Sequence, residues 1–285
     1  MMMVCAYTVV SVYKIFLLVT KKSIYWFAVA HAIEYGIIGI ALILIYYRES
    51  PQRLAVSLRC AKRLLSKSHH YILAALMVKI FHNTDHIMLK IITGDAENGF
   101  YSAAVTCTTI CQFVYMAIID STRPSILSQK KAGSPQWEMT LSKLYSVIVY
   151  LALAQSAVFT IFAEHIIYLT YDQNYMNAVP VLRILVWYEA FSCIGVIRNI
   201  WILASEKHSI LWKINFTGII VNIVINAILI PKIGARGAAI ASLATQIMTN
   251  FVLGFIYKPL YENNLILMKG LNPGLLLQQS RIFLG

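Results

Sequence analysis

Asp85 stands in an apolar stretch with His82 and His86 within one helical turn of it. An ionisable residue in a membrane helix costs free energy unless it is paired or hydrated, so each is a functional candidate by default. For Asp85 the chemistry is a proton or hydrated cation held toward a cavity. The plain alternative is a residue near the outer interface, bonded to a neighbouring helix. His-x-x-Asp-His spacing also raises zinc, but a membrane helix without further clustered ligands makes a poor closed site. Glu189 lies near the middle of another apolar stretch, the costliest depth. Arg198 and Asn199 follow on the same stretch, and a guanidinium fork suits an anionic ligand group. Asn222 and Asn226, at i and i+4, form one polar face that bonds ligand hydroxyls or glues helices together, gluing being the plainer reading. Asp120 and Arg123, at i and i+3, can pair with each other, and Arg123 can snorkel toward headgroups.

The elements that position these groups are membrane helices. The chain has 285 residues, 59% of them hydrophobic and 13% charged, with a mean hydropathy of +0.68. Soluble domains carry about 25% charged residues, so the apolar runs belong in a bilayer. Eight hydrophobic helices are predicted, near Met2–Val19, Ser23–Tyr47, Tyr71–Thr93, Asn98–Leu127, Leu144–Tyr168, Val179–Ala204, Ile210–Ile230 and Gly237–Tyr257. The third is interrupted by His82, Asn83, Asp85, His86 and Lys90.

The last two are joined by Pro231-Lys232-Ile233-Gly234-Ala235-Arg236-Gly237. Pro231 lacks a backbone donor and ends a helix, and glycine supplies the φ > 0 conformations of a tight reversal. Past the turn, Gly234, Ala238 and Ser242 share one face, with Gly237 and Ala241 beside it, a spacing that lets helix backbones approach closely in lipid.

The net charge of +12 does not point to nucleic acid, because Lys and Arg collect in loops between apolar runs. Residues 48–67 hold Arg48, Arg53, Arg59, Lys62, Arg63 and Lys67, which places that loop in the cytoplasm. Lys130, Lys131 and Lys143, then Lys207 and Lys213, then the tail with Lys258, Lys269 and Arg281, fall on the same side. Acidic loops around Asp95, Glu97 and Asp172 alternate with them; Lys21, Lys22, Lys232 and Arg236 run against the pattern. Leu54, Leu58, Ala61 and Leu65 repeat at helical spacing opposite the basic residues, which reads as an interfacial amphipathic helix. Cys5, Cys60, Cys107, Cys111 and Cys193 have neither metal-ligand nor disulfide spacing. The expectation is therefore an all-α polytopic membrane protein without a signal peptide, cofactor or metal.

Four segments resemble the Wzx-type O-antigen and polysaccharide flippases, within the multidrug, oligosaccharidyl-lipid and polysaccharide exporter superfamily. Asn83-Thr84-Asp85-His86-Ile87-Met88-Leu89-Lys90, Gly99-Phe100-Tyr101-Ser102-Ala103-Ala104 and Ser121-Thr122-Arg123-Pro124 make the first. The second is 166–185, with Tyr175, Ala178 and Leu182-Arg183-Ile184-Leu185; there the family usually has glycine where this chain has Asp172. The others are 201–213 and 222–246.

The resemblance implies two six-helix lobes around a central cavity. Residues 1–47 would be the last two helices of a truncated first lobe, 48–70 a basic linker, 71–258 the C-terminal six-helix lobe and 259–285 a cytoplasmic tail. Four preceding helices would be missing, through a truncated frame or a misassigned start. The implied activity is flipping of undecaprenyl-pyrophosphate-linked repeat units across the bacterial inner membrane by alternating access. The implied partners are the lipid-linked oligosaccharide, membrane lipids, a polysaccharide polymerase and a chain-length regulator. Asp85 and Glu189 would couple transport to an ion gradient; Arg198, Asn199, Asn222 and Arg123 would contact substrate. The alternatives are a multidrug or other lipid-precursor exporter, or an inactive fragment. A pathway enzyme fits less well, because the loops are short and no nucleophile, base and orienter cluster together. ATP hydrolysis lacks its G-x-x-x-x-G-K loop.

Overall fold

The computed structural model describes residues 2–20, 22–49 and 57–272. Lys21, Arg53, Leu54 and the tail from 273 onward lie outside the described residues, as do the side chains of Cys5, Lys67 and His82. The described residues are helical throughout, without a strand: α1 (Met2–Val19), α2 (Ile24–Glu49), α3 (Leu58–Ile92), α4 (Asp95–Thr109), α5 (Gln112–Lys131), α6 (Gln136–Tyr171), α7 (Val179–Ala204), α8 (Ser209–Ile247), α9 (Leu253–Ile256) and α10 (Tyr261–Gly270). The chain is an all-α polytopic membrane protein, and all eight predicted apolar stretches are helical.

Six of the eight expected spans fall in stretches that qualify, the seventh and eighth together in Ser209–Ile256, and the first and third do not. Among the described residues four helical stretches are long and apolar enough to cross a membrane, Tyr25–Arg48, Gln136–Tyr171, Gln173–Ala204 and Ser209–Ile256, or five with α4 and α5 taken as one span bent by 46°. The bend falls at Ile110-Cys111, so Cys107 and Cys111 do not share a continuous helix face. The polar groups of α3 keep it off the set, and its described beginning at Leu58 runs unbroken into the rest, so the basic linker has no separate helix there.

The chain divides into two units after Ser66. In the first, α1 and α2 pack through Val10, Leu17 and Ala30. Glu34, an acidic residue within an apolar helix, is buried there, 3.5 Å from Lys14 Nζ and 3.7 Å from His31 Nδ1.

The second unit is organised by the reversal inside α8. Ile233 (φ −137°, ψ 17°) and Gly234 (φ 55°, ψ −133°) leave the helical region and divide α8 into arms 209–232 and 235–247. Gly237 then lies against the backbone of the first arm, where a Cβ would stand 2.6 Å from the Leu229 carbonyl oxygen. A straight helix would hold those two residues about 12 Å apart, so the arms form an antiparallel hairpin. The side chain of Glu97, in the first turn of α4, accepts the Ala235 N–H at 2.7 Å and satisfies an orphan donor where the second arm begins. Gly237, Ala238, Ala241 and Ser242 are all buried in the packing of that arm.

Alternate loops gather at opposite ends of this unit. Lys130, Lys131, Lys207 and Glu262 line one pocket, with Lys207 Nζ 3.2 Å from Glu262. At the other end of α7 lie Tyr175, its ring tilted against Tyr171 at 5.1 Å between centroids, and Phe100. Residues 258–272 pack on the unit: α10 buries Leu267, and Tyr145 Oη donates to Asn263 Oδ1 at 2.9 Å.

Asp172 holds a backbone conformation that suits glycine. It caps α6 at φ 73°, ψ 177°, a region essentially reserved for glycine that costs other residues about 1–3 kcal/mol. Asp172→Gly is expected to raise stability by about 1–2 kcal/mol, read as a higher unfolding midpoint in detergent; an unchanged midpoint would place the strain elsewhere.

Candidate functional site

The hairpin carries a polar stripe along its inner face, and the other helices bring their charged groups to it. Asp85, on α3, is 6% exposed and meets both arms at once. Its Oδ1 accepts from Asn222 Nδ2 at 3.1 Å and Asn226 Nδ2 at 2.6 Å, both on the first arm. Its Oδ2 accepts from Tyr101 Oη of α4 at 2.8 Å and from Ser242 Oγ of the second arm. A carboxylate has about four lone-pair sites, so protein donors fill all of them. No cation pairs with Asp85 among the described residues. The Asn226 carbonyl oxygen beside this cluster is buried without a partner among the described residues.

Next to Asp85, His86 Nδ1 is 2.9 Å from Asn98 Oδ1 and 3.3 Å from Ser102 Oγ, and its ring meets Tyr101 edge-on at 5.1 Å. Among the described residues no three His, Cys, Asp or Glu side chains gather as metal ligands.

Glu189 presents the opposite situation. It is 4% exposed, yet no hydrogen bond or ion pair reaches its carboxylate among the described residues. It borders a cavity of about 220 Å³ shared with Asp85, His86, Tyr101, Gln112, Tyr188 and Ser192. The two acidic residues picked out in the sequence thus face one space, one saturated with donors and the other bare.

Arg198 and Asn199, further along α7, border a second cavity of about 200 Å³. Asn215 and Gly218 come from the first arm of α8, Gln246 from the second, and Thr249 and Asn250 from the π-helical turn Met248–Val252 that follows. Arg198 is 5% exposed and donates one bond, from Nη1 to the Thr249 carbonyl at 2.7 Å, while its Nε is buried without an acceptor among the described residues. Asn250 bonds Gln246 and donates to the Phe191 carbonyl at 3.0 Å. This close packing requires Gly195, where a Cβ would lie 2.7 Å from Asn250 Oδ1. Ser192 borders both cavities, and Tyr188 borders the one that Glu189 faces.

The remaining sequence candidates separate. Asn222 is a ligand of Asp85 and lines neither cavity. Arg123 pairs with Asp120 at 3.0 Å on an exposed helix face and borders neither. Tyr101, Gln246, Asn250 and Asn215 were missed as partners. The spacing Ser242, Gln246, Asn250 was a visible signal, a polar i, i+4 stripe on a helix otherwise read for its small residues.

A family model described as "Polysaccharide biosynthesis protein" matches residues 1–129, somewhat less than half of the chain. Its match takes in Asp85, Tyr101 and the Ser121–Pro124 segment, whereas the resemblances at 166–185, 201–213 and 222–246 fall outside it. No curated protein and no solved structure matches the chain.

Proposed function

We propose that this chain flips undecaprenyl-pyrophosphate-linked O-antigen or polysaccharide repeat units across the bacterial inner membrane by ion-coupled alternating access. The observation that carries the reading is the Asp85 cluster, a buried carboxylate joining α3, α4 and both arms of α8. The match to a polysaccharide biosynthesis family over the part of the chain that contains Asp85 supports the substrate class.

The cluster suits a two-state element. Four donors hold Asp85 in this conformation, so an incoming cation or proton must displace at least one of them. Its first available partner is the orphaned Asn226 carbonyl oxygen, and carboxylate, amide and hydroxyl oxygens together suit a hard cation. Releasing either arm from Asp85 frees the hairpin to shift against α3 and α4. The bare Glu189 in the adjoining cavity offers a second place for positive charge on the same route. Coupling then follows from differential affinity of the ion for the two arrangements.

The amides of Asn199, Asn215 and Gln246 match hydroxyl-rich ligands. Orientation follows the basic loops: Lys130, Lys131 and Lys207, with α10 beside them, would lie in the cytoplasm. The lipid tail would stay in the bilayer while the sugar headgroup crosses, with a polymerase and a chain-length regulator acting on the product.

The test is complementation. Expressed in a strain whose own flippase is deleted, the chain is expected to restore the surface polysaccharide ladder on a gel. A chain that reaches the membrane while the lipid-linked precursor accumulates inside would overturn the proposal.

A further inference from the structure

The Arg198 cavity holds a buried positive charge that nothing among the described residues neutralises. The guanidinium is 5% exposed, no described carboxylate lies within ion-pair distance of it, and its one protein acceptor is the neutral Thr249 carbonyl. Among the described residues Nη2 has no acceptor, and Nε is sealed from solvent without one. Glu189, the acidic residue on the same helix, stands about 13 Å away along the axis and faces the other cavity. Buried charges are ordinarily paired, so the absent partner is expected to be a ligand.

We propose that this cavity binds the carboxylate of an acidic sugar ring, with Arg198 taking the carboxylate and the surrounding amides taking ring hydroxyls. Three observations select that class. One guanidinium stands alone among neutral groups, which balances a single negative charge; a diphosphate carries more than one and would remain undercompensated at this depth. Asn199, Asn215 and Gln246 supply donors and acceptors around it, Asn250 having given its N–H groups to Gln246 and Phe191; that is the pattern a polyol needs and a lone inorganic anion does not. The space, about 200 Å³, is below the range of about 300–1,000 Å³ that drug-sized ligands occupy, and is of the scale of one sugar ring. Gly195 and Gly218 line it, one on α7 and one on the first arm of α8.

The proposal rests on the transport reading only for the source of such a sugar. Its test is a binding measurement on the purified full chain in nanodiscs, titrated with glucuronate, glucose and inorganic pyrophosphate. Glucuronate is expected to saturate, and glucose to bind at least about tenfold more weakly, as loss of one charge-assisted hydrogen bond implies. Arg198→Lys keeps the charge but loses the fork, and is expected to weaken glucuronate by about tenfold. Asn215→Ala is the control against misfolding, because its side chain is half-buried and makes no protein hydrogen bond among the described residues. It should weaken glucuronate a few-fold with the thermal midpoint unchanged. Pyrophosphate binding more tightly than glucuronate would make this a diphosphate site and overturn the assignment. Equal binding of glucose, or no binding by any probe, would make Arg198 purely architectural. Flipping without glucuronate binding retires this site alone; glucuronate binding without flipping retires the transport reading alone.

Discussion

Asp85→Ala is expected to destabilise the second unit by about 2–3 kcal/mol and to abolish export. Removing the carboxylate strips four donors of their acceptor. Tyr101 Oη and Ser242 Oγ lie 3.3 Å apart and can bond each other instead. Asn226 Nδ2 keeps its 3.0 Å bond to Asn222 Oδ1, but Asn222 Nδ2 is left with no acceptor. An orphaned buried donor costs about 1–3 kcal/mol, and the lost bonds between helices add about 0.6 kcal/mol each in membrane proteins. The rebuilt Tyr101–Ser242 bond and the removal of a buried charge bring the total down to the figure given. Asp85→Asn should fall between alanine and the native chain, because an amide offers a single acceptor oxygen in place of two. Denaturant titration of the chain in micelles reads the stability, and the surface polysaccharide ladder reads export. A variant as stable as the native chain would mean that Asp85 does not hold α3, α4 and the hairpin together.

Much of this arrangement could be read from the residues before any coordinates. Pro231, Gly234 and Gly237 announced a reversal between two apolar runs, and the hairpin turns at Gly234. That reading works because a φ of 55° and a backbone contact at Gly237 leave few residue types available. Asp85, Glu189 and Arg198 were equally visible, since a charge in an apolar run is conspicuous whatever it touches. Their partners were not. Asn222 and Asn226 looked like substrate ligands or glue, and only the folded hairpin shows that both point at Asp85, more than 130 positions earlier in the chain. Pairings at such separation leave no periodic trace. The bend at Ile110-Cys111 was also invisible, because no proline or glycine marks it. Glu34 was overlooked although it stands at i+3 from His31 within an apolar helix, where the same rule that flagged Glu189 applies.

Glu189→Gln separates coupling from architecture. The side chain keeps its shape, and the carboxylate it replaces has no hydrogen bond or ion pair to lose among the described residues. A buried, unpaired carboxylate is itself a cost to the folded state. The variant should therefore be at least as stable as the native chain, in contrast to Asp85→Ala. Export should nevertheless fall by about 5–150-fold, the range that corresponds to a coupling free energy of about 1–3 kcal/mol. The uncharged amide would mimic the neutralised state permanently, so the ion could no longer bias one arrangement of the hairpin over the other. The two readouts together decide the role. Native export would remove Glu189 from the coupling route and leave Asp85 as the sole candidate. A lowered unfolding midpoint would show that the carboxylate serves the architecture of the site, and the export loss could then not be assigned to coupling. Stable protein with lost export is the outcome that two carboxylates in one cavity, one saturated and one bare, lead us to expect.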